Sequence, residues 1–113
     1  MSRPVRYTRG AVITTPVIPL DYNREPFNVG IGISLSAGAS LTYTVEYTYD
    51  DIQSPTFSPA TATWFSVTNL SAKTTSADGS ILAPCTGLRL NIGVYASGSA
   101  TITAIQAGMA GVN

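Results

Sequence analysis

Two stretches of the chain alternate apolar and polar residues with a period of two. In the first, Phe27, Val29, Ile31, Ile33 and Leu35 take turns with Asn28, Gly30, Gly32, Ser34 and Ser36. In the second, Leu41, Tyr43, Val45, Tyr47 and Tyr49 take turns with Thr42, Thr44, Glu46 and Thr48. Side chains of a strand point to opposite faces in turn, so each stretch predicts a strand with one apolar face. The short link Ala37-Gly38-Ala39-Ser40 predicts a hairpin with both apolar faces on the same side of a sheet. Such a sheet needs a second layer over its apolar face, which makes a β-sandwich the expected architecture.

The rest of the chain follows the same grammar. Residues 11–20 are β-branched but broken by Pro16 and Pro19, which fits an edge strand or one that changes sheets. Residues 21–26 form a polar connection, and Asp50-Asp51 ends the second alternating stretch. Residues 53–61 hold two prolines and several hydroxyl residues and read as a surface loop. A strand is expected over 63–69, with Trp64, Ser66 and Thr68 on one face and Phe65 and Val67 on the other. Residues 71–80 are polar and close with the turn pair Asp78-Gly79, leaving 80–83 for a short strand. Leu88, Leu90, Ile92 and Val94 then alternate with polar or small residues, Ser97-Gly98 turns the chain, and Ala100, Ile102 and Ala104 resume the pattern up to Gln106. No window carries a helical stripe. The expectation is an all-β fold, one β-sandwich or jelly-roll-like domain of seven to eight antiparallel strands. Its boundaries are an extended basic arm at 1–10, the sandwich at 11–108 and a tail at 109–113.

With 113 residues the chain suits one domain with a core of its own. Only 11% of residues are charged and the formal net charge is zero, so Ser, Thr, Asn and Ala must coat the surface. That coat suits packing against other protein. It argues against nucleic acid, whose phosphates call for an excess of Lys and Arg. Cys85 is the only cysteine and has no internal disulfide partner; with no signal peptide at the start, a reducing cytoplasm is the expected site of synthesis. The apolar run 11–20 is too short to span a bilayer, so no membrane is expected. The sequon at Asn69-Leu70-Ser71 reads as chance without a secretory signal.

Catalytic chemistry is poorly provided for. There is no histidine, which removes the usual general base and the commonest metal ligand. Cys85 follows Pro84 with no base in view and reads as a small buried or half-buried thiol. The carboxylates are Asp21, Glu25, Glu46, Asp50, Asp51 and Asp78, and Glu46 with Asp50 or Asp51 is the nominal acid pair. A strand's polar face and the cap of its end account for these three. No metal, no cofactor and no enzymatic activity are expected.

Three features bear on interaction. Arg3, Arg6 and Arg9, with Tyr7 between them, hold half of the basic charge; they read either as a disordered terminus or ordinary first strand, or as a strap for another subunit. Gly30 and Gly32 leave one face of their strand bare, either for twist or for close approach of another chain. Among the aromatic residues, Trp64 and Tyr95 are candidate interface anchors, with a place in the core as the alternative.

In the C-terminal half, residues 62–70 (ATWFSVTNL), 81–84 (ILAP), 88–101 (LRLNIGVYASGSAT) and 105–108 (IQAG) follow one another. Together they resemble small all-β virion proteins of tailed bacteriophages: a Trp-centred strand, a Pro…Leu-Arg-Leu strand, a Tyr-x-Ser-Gly-Ser turn and a closing Ile-Gln-Ala-Gly. The resemblance spans residues 60–108. It implies a decoration (cement) protein on the capsid exterior of a virion, with the major capsid protein and further copies of itself, as a homo-trimer or homo-dimer, for partners. The alternative it leaves is a tail or fibre module that binds host glycan by stacking Trp64 or a surface tyrosine on a sugar. A shell subunit of a small jelly-roll virus is a third reading, disfavoured by the short chain and the weakly basic arm.

Overall fold

The alternating segments form strands, and the strands form two antiparallel sheets. A computed structural model of the chain describes residues 5–20, 28–82 and 84–106. Its strands are β1 (Val5–Arg9), β2 (Ile13–Thr14), β3 (Ile18–Pro19), β4 (Val29–Leu35), β5 (Ser40–Thr48), β6 (Phe65–Ser66), β7 (Ala77–Ile81), β8 (Gly87–Ser97) and β9 (Ala100–Gln106). Among the described residues there is no helix. That is one or two strands more than expected, because three of them are two residues long. One sheet runs β1-β9-β4-β7; the other runs β2-β8-β5-β6, with β3 also on β8. The ladders nest: β1 pairs with β9, β2 and β3 with β8, β4 with β7, and β5 with β6.

The apolar positions of both sheets meet in one core. The four-stranded sheet contributes Val29, Ile31, Ile33, Ile81, Ala100, Ile102 and Ala104, and the five-stranded sheet Leu41, Tyr43, Val45, Leu88, Leu90 and Ile92, all buried. Ile18, Leu20, Val67, Leu70 and Cys85 complete it. The Tyr43 side chain is fully enclosed, and its hydroxyl donates to the Thr75 carbonyl at 2.7 Å, so the ring is buried with its polar end satisfied.

The proline-marked segment changes sheets, as its composition allows. β1 lies on the four-stranded sheet, and the chain crosses after Gly10 to place β2 and β3 on β8. Pro16 has no N–H for the ladder. Thr15 bridges the gap: its amide donates to Leu90 O at 2.9 Å, and its hydroxyl accepts the Leu90 amide at 3.0 Å.

Four expectations need correction. β4 and β5 are not a hairpin. Their link turns at Gly38, where φ is +74°, and carries the chain from one sheet to the other, so the two apolar faces look at each other across the core. Period-two alternation is identical in the two arrangements, and only the layer that closes the core distinguishes them. Asp78-Gly79 is not a turn but the middle of β7. Gly79 is there for clearance: a Cβ on it would stand 3.1 Å from Leu70 Cδ1, which packs over the strand. The expected strand at 63–69 is reduced to β6, after which Val67 and Leu70 turn inward beside Val45. Val94 faces solvent, because the β5–β8 register slips between Thr42 and Tyr43 and the extra residue reverses the faces of β8.

Candidate functional site

The outer faces of the two sheets are built differently. On the five-stranded sheet, the polar positions of β5 and β8 hold a network. Arg89 Nε donates to Glu46 Oε1 at 2.8 Å, with both side chains mostly buried, and its guanidinium lies 3.9 Å over the Trp64 ring. Trp64 Nε1 donates to Pro59 O at 3.0 Å, and Asn91 Nδ2 reaches Glu46 Oε2 at 3.5 Å. Loop 50–63 lies across the same face. Thr48 is fully buried, donates to Thr63 O at 2.8 Å and accepts the Asp50 amide at 3.1 Å. A Cβ on Gly87 would meet Val17 Cγ1 at 2.7 Å and Ile52 Cγ2 at 3.3 Å, which shows how closely this face is covered.

The outer face of the four-stranded sheet has no such cover. It presents Arg6 and Thr8 from β1, Thr101, Thr103 and Ile105 from β9, Gly30, Gly32 and Ser34 from β4, and Asp78 and Ser80 from β7, none of them buried. A Cβ on Gly32 would have nothing within 4 Å, and one on Gly30 would meet only Ile105 O, at 3.8 Å. The hydroxyl positions are tied to their neighbours. Arg6 Nε donates to Thr103 Oγ1 at 3.1 Å, and the Thr8 and Thr101 hydroxyls are 2.8 Å apart. Apart from Arg6 and the half-exposed Ile105, the side chains of this face are short, and Gly30 and Gly32 leave the backbone of β4 bare.

The predicted interface residues therefore separate. Arg6, Gly30 and Gly32 share this bare face. Tyr7 and Arg9 belong to the other face of β1, where Tyr7 packs against the core and Arg9 lies 5.5 Å from its ring centre. Trp64 is half-buried, with Arg89 on one face and its N–H bonded. Tyr95 packs against the core and donates to Gly98 O at 2.9 Å, closing the β8–β9 turn. Arg3 lies outside the described residues. Part of the expected arm, residues 5–9, is the edge strand β1, in register with β9 from Val5↔Ala104 to Arg9↔Ala100.

A third surface was not anticipated. Tyr47, Tyr49 and Phe65 form an aromatic cluster with ring centres 5.6 to 5.8 Å apart, and Tyr49 and Phe65 are about half exposed. Tyr47 also lines a groove of about 280 Å³ between the two sheets, with Val67, Thr68, Asn69, Ser80 and Leu82 on its walls. The sequence signal was Tyr49, one alternation past the end of β5, but nothing local announced that β6 would bring Phe65 beside it.

Titratable groups are engaged structurally. Asp50 Oδ2 accepts the Thr63 amide at 2.8 Å and Asp51 Oδ1 the Gln53 amide at 3.0 Å, so both brace the loop. Burial pushes the Cys85 thiol up to about 11, which keeps it protonated at neutral pH. Among the described residues no three of His, Cys, Asp and Glu come together as a metal site. Comparison of the chain with protein-family models, with curated proteins and with solved structures finds no match.

Proposed function

We propose that this chain is a structural virion protein, a decoration protein that docks the bare face of its four-stranded sheet on the outside of a phage capsid. The observation that carries the reading is the contrast between the faces: one is covered by the chain's own loop, and the other is left open, uncharged between its edges and bare at Gly30 and Gly32. A face of short side chains allows another backbone to approach closely at little entropic cost. The strand order supports the same reading. We read two sheets ordered β1-β9-β4-β7 and β2-β8-β5-β6, with nested pairs, as a jelly roll, an architecture shared by viral capsid and lectin domains. The resemblance of residues 60–108 to phage virion proteins supplies the capsid. In this reading residues 1–10 act as the arm, with β1 as its root.

The mechanism is linkage. A protein that binds assembled coat subunits and not dispersed ones stabilises the assembly by its binding free energy, and repetition over many sites lets modest contacts suffice. Cryo-electron microscopy of particles that copurify with the chain tests this. Many copies on the outer shell, four-stranded sheet inward, are expected; a few copies at the tail, or none, would reject the reading. Replacing both Arg6 and Arg9 by Glu is expected to lower shell occupancy while the domain stays folded, and full occupancy would remove the arm from the contact.

A second reading rests on the half-exposed pair Tyr49 and Phe65 beside the groove with Asn69 and Ser80. Aromatic rings next to amide and hydroxyl groups suit a sugar, which fits a tail or fibre module. Carbohydrate binding that Tyr49→Ala abolishes would favour it over the capsid reading.

A further inference from the structure

The two open edges of the four-stranded sheet complement each other. β1 and β7 each pair with one strand only, and among the described residues no backbone hydrogen bond from outside the sheet reaches either. Of the residues in these four strands, only Arg6 and Arg9 on β1 and Asp78 on β7 are charged. The registers align two of them. Arg6 is opposite Thr103, Thr103 opposite Gly32, and Gly32 opposite Asp78, so one row across the outer face starts at an arginine and ends at an aspartate. Both end residues are exposed.

Strand directions alternate across the sheet, so β1 and β7 run in opposite senses. A second copy in the same orientation can therefore lay its β1 beside β7 and continue an antiparallel ladder. Arg6 of the second copy then stands opposite Asp78 on the outer face, a favourable cross-strand pair. The symmetric alternatives lack this match: β1 against β1 brings arginines together, and β7 against β7 brings aspartates together. The second sheet fits the same junction. On the β1 side its edge exposes Val12 (67%) and Ile13 (43%), and on the β7 side it exposes Phe65 (45%).

We infer that the chain self-associates head to tail, β1 of one copy adding to β7 of the next, so that the four-stranded sheets run on through a closed ring or an open fibre. Such a contact uses two different patches of the protein and so excludes a two-fold dimer built on either edge alone. The inference does not depend on the capsid reading; it requires only the two edges. Charged edge residues also serve to keep edges apart in monomeric proteins, and the experiment separates these roles.

The test is sedimentation equilibrium of the full chain, alone and as charge-reversed variants. The wild-type chain is expected to associate, more weakly as salt rises. Arg6→Glu and Asp78→Lys are each expected to weaken association about tenfold or more, through like charges at the junction. Mixing the two variants in equal amounts restores matched pairs wherever the two alternate, and combining both changes in one chain restores one at every contact; recovered association is expected in both cases. A wild-type chain that stays monomeric to its solubility limit, or a two-fold dimer untouched by either reversal, would overturn the inference. Hydrogen exchange on the wild-type chain gives an answer free of any variant. Amides of 5–9 and 77–81 should gain protection together as concentration rises, and unchanged exchange at either edge would also overturn it.

Discussion

The two sheets of this sandwich share one core but treat their outer faces in opposite ways. The five-stranded sheet places Glu46, Arg89 and Trp64 in contact on its outside and draws loop 50–63 over them, so that even Thr48, on a polar position of its strand, is fully buried. The four-stranded sheet places threonine, serine and glycine on its outside and keeps its charges for the edge strands. A chain with only six basic and six acidic residues spends four of them, Glu46, Asp50, Asp51 and Arg89, on holding its own loop. What it leaves uncovered is therefore informative. A face that costs nothing in stability to leave bare is free to meet another molecule, and a face already covered by its own chain is not.

Removing one arginine from each face should split them most widely. Arg89→Met removes the guanidinium from over the Trp64 ring and leaves the Glu46 carboxylate, mostly buried, with Asn91 at 3.5 Å as its remaining partner. Breaking an enclosed ion pair from one side is expected to cost about 2–4 kcal/mol, somewhat reduced by residual solvent access. Arg6→Met loses an exposed bond to Thr103 and is expected to change stability by less than about 0.5 kcal/mol. Urea unfolding of both variants, at high dilution so that association does not contribute, checks the pair. Equal losses would mean that the cover over the five-stranded sheet is looser than its geometry implies.

How far this contrast was legible in the sequence depends on the range of the interactions. Period-two alternation in 29–35, 41–47 and 88–92 is local, and it identifies strands, their core faces and the need for two layers. The hairpin expected at 37–40 fails because pairing within a sheet and crossing between sheets place the same demands on local sequence. β7 was hidden because Ala77-Asp78-Gly79-Ser80 has turn chemistry, and the reason for its glycine, Leu70 overhead, comes from another strand's side of the fold. The site residues divide the same way. Gly30 and Gly32 were legible as a bare face because they interrupt an otherwise apolar strand. Trp64 and Tyr95 were legible as aromatic anchors, but their partners within the chain, Arg89 and Gly98, were not, because strand pairing and a turn bring them there.

A smaller and more direct probe adds one methyl group to a glycine on each outer face. Gly87→Ala puts a Cβ 2.7 Å from Val17 Cγ1 and 3.3 Å from Ile52 Cγ2, with Thr48 Cγ2 at 3.5 Å. Val17 is short and β-branched and has little room to give, so the variant is expected to lose about 1–3 kcal/mol from overpacking. Thermal unfolding measures this directly. An unchanged midpoint would show that the Val17 and Ile52 layer moves freely, and the face would then count as available.

At Gly32 no loss of stability is expected, and this position ties the comparison to function. A Cβ there meets nothing within 4 Å. Replacing glycine in a strand interior removes its excess freedom in the unfolded chain and adds β propensity, so Gly32→Val should leave stability unchanged or raise it by about 0.5–1 kcal/mol. If the bare backbone serves only the twist of β4, the variant behaves as the wild type in every other assay. If it receives another backbone, the isopropyl group stands where that backbone must approach, and docking on the capsid falls although the domain is no less stable. Stability and binding then move in opposite directions from one substitution. Loss of packing inside the sandwich does not produce that result, because the side chain at Gly32 leaves from the outer face, where its Cβ has no neighbour within 4 Å.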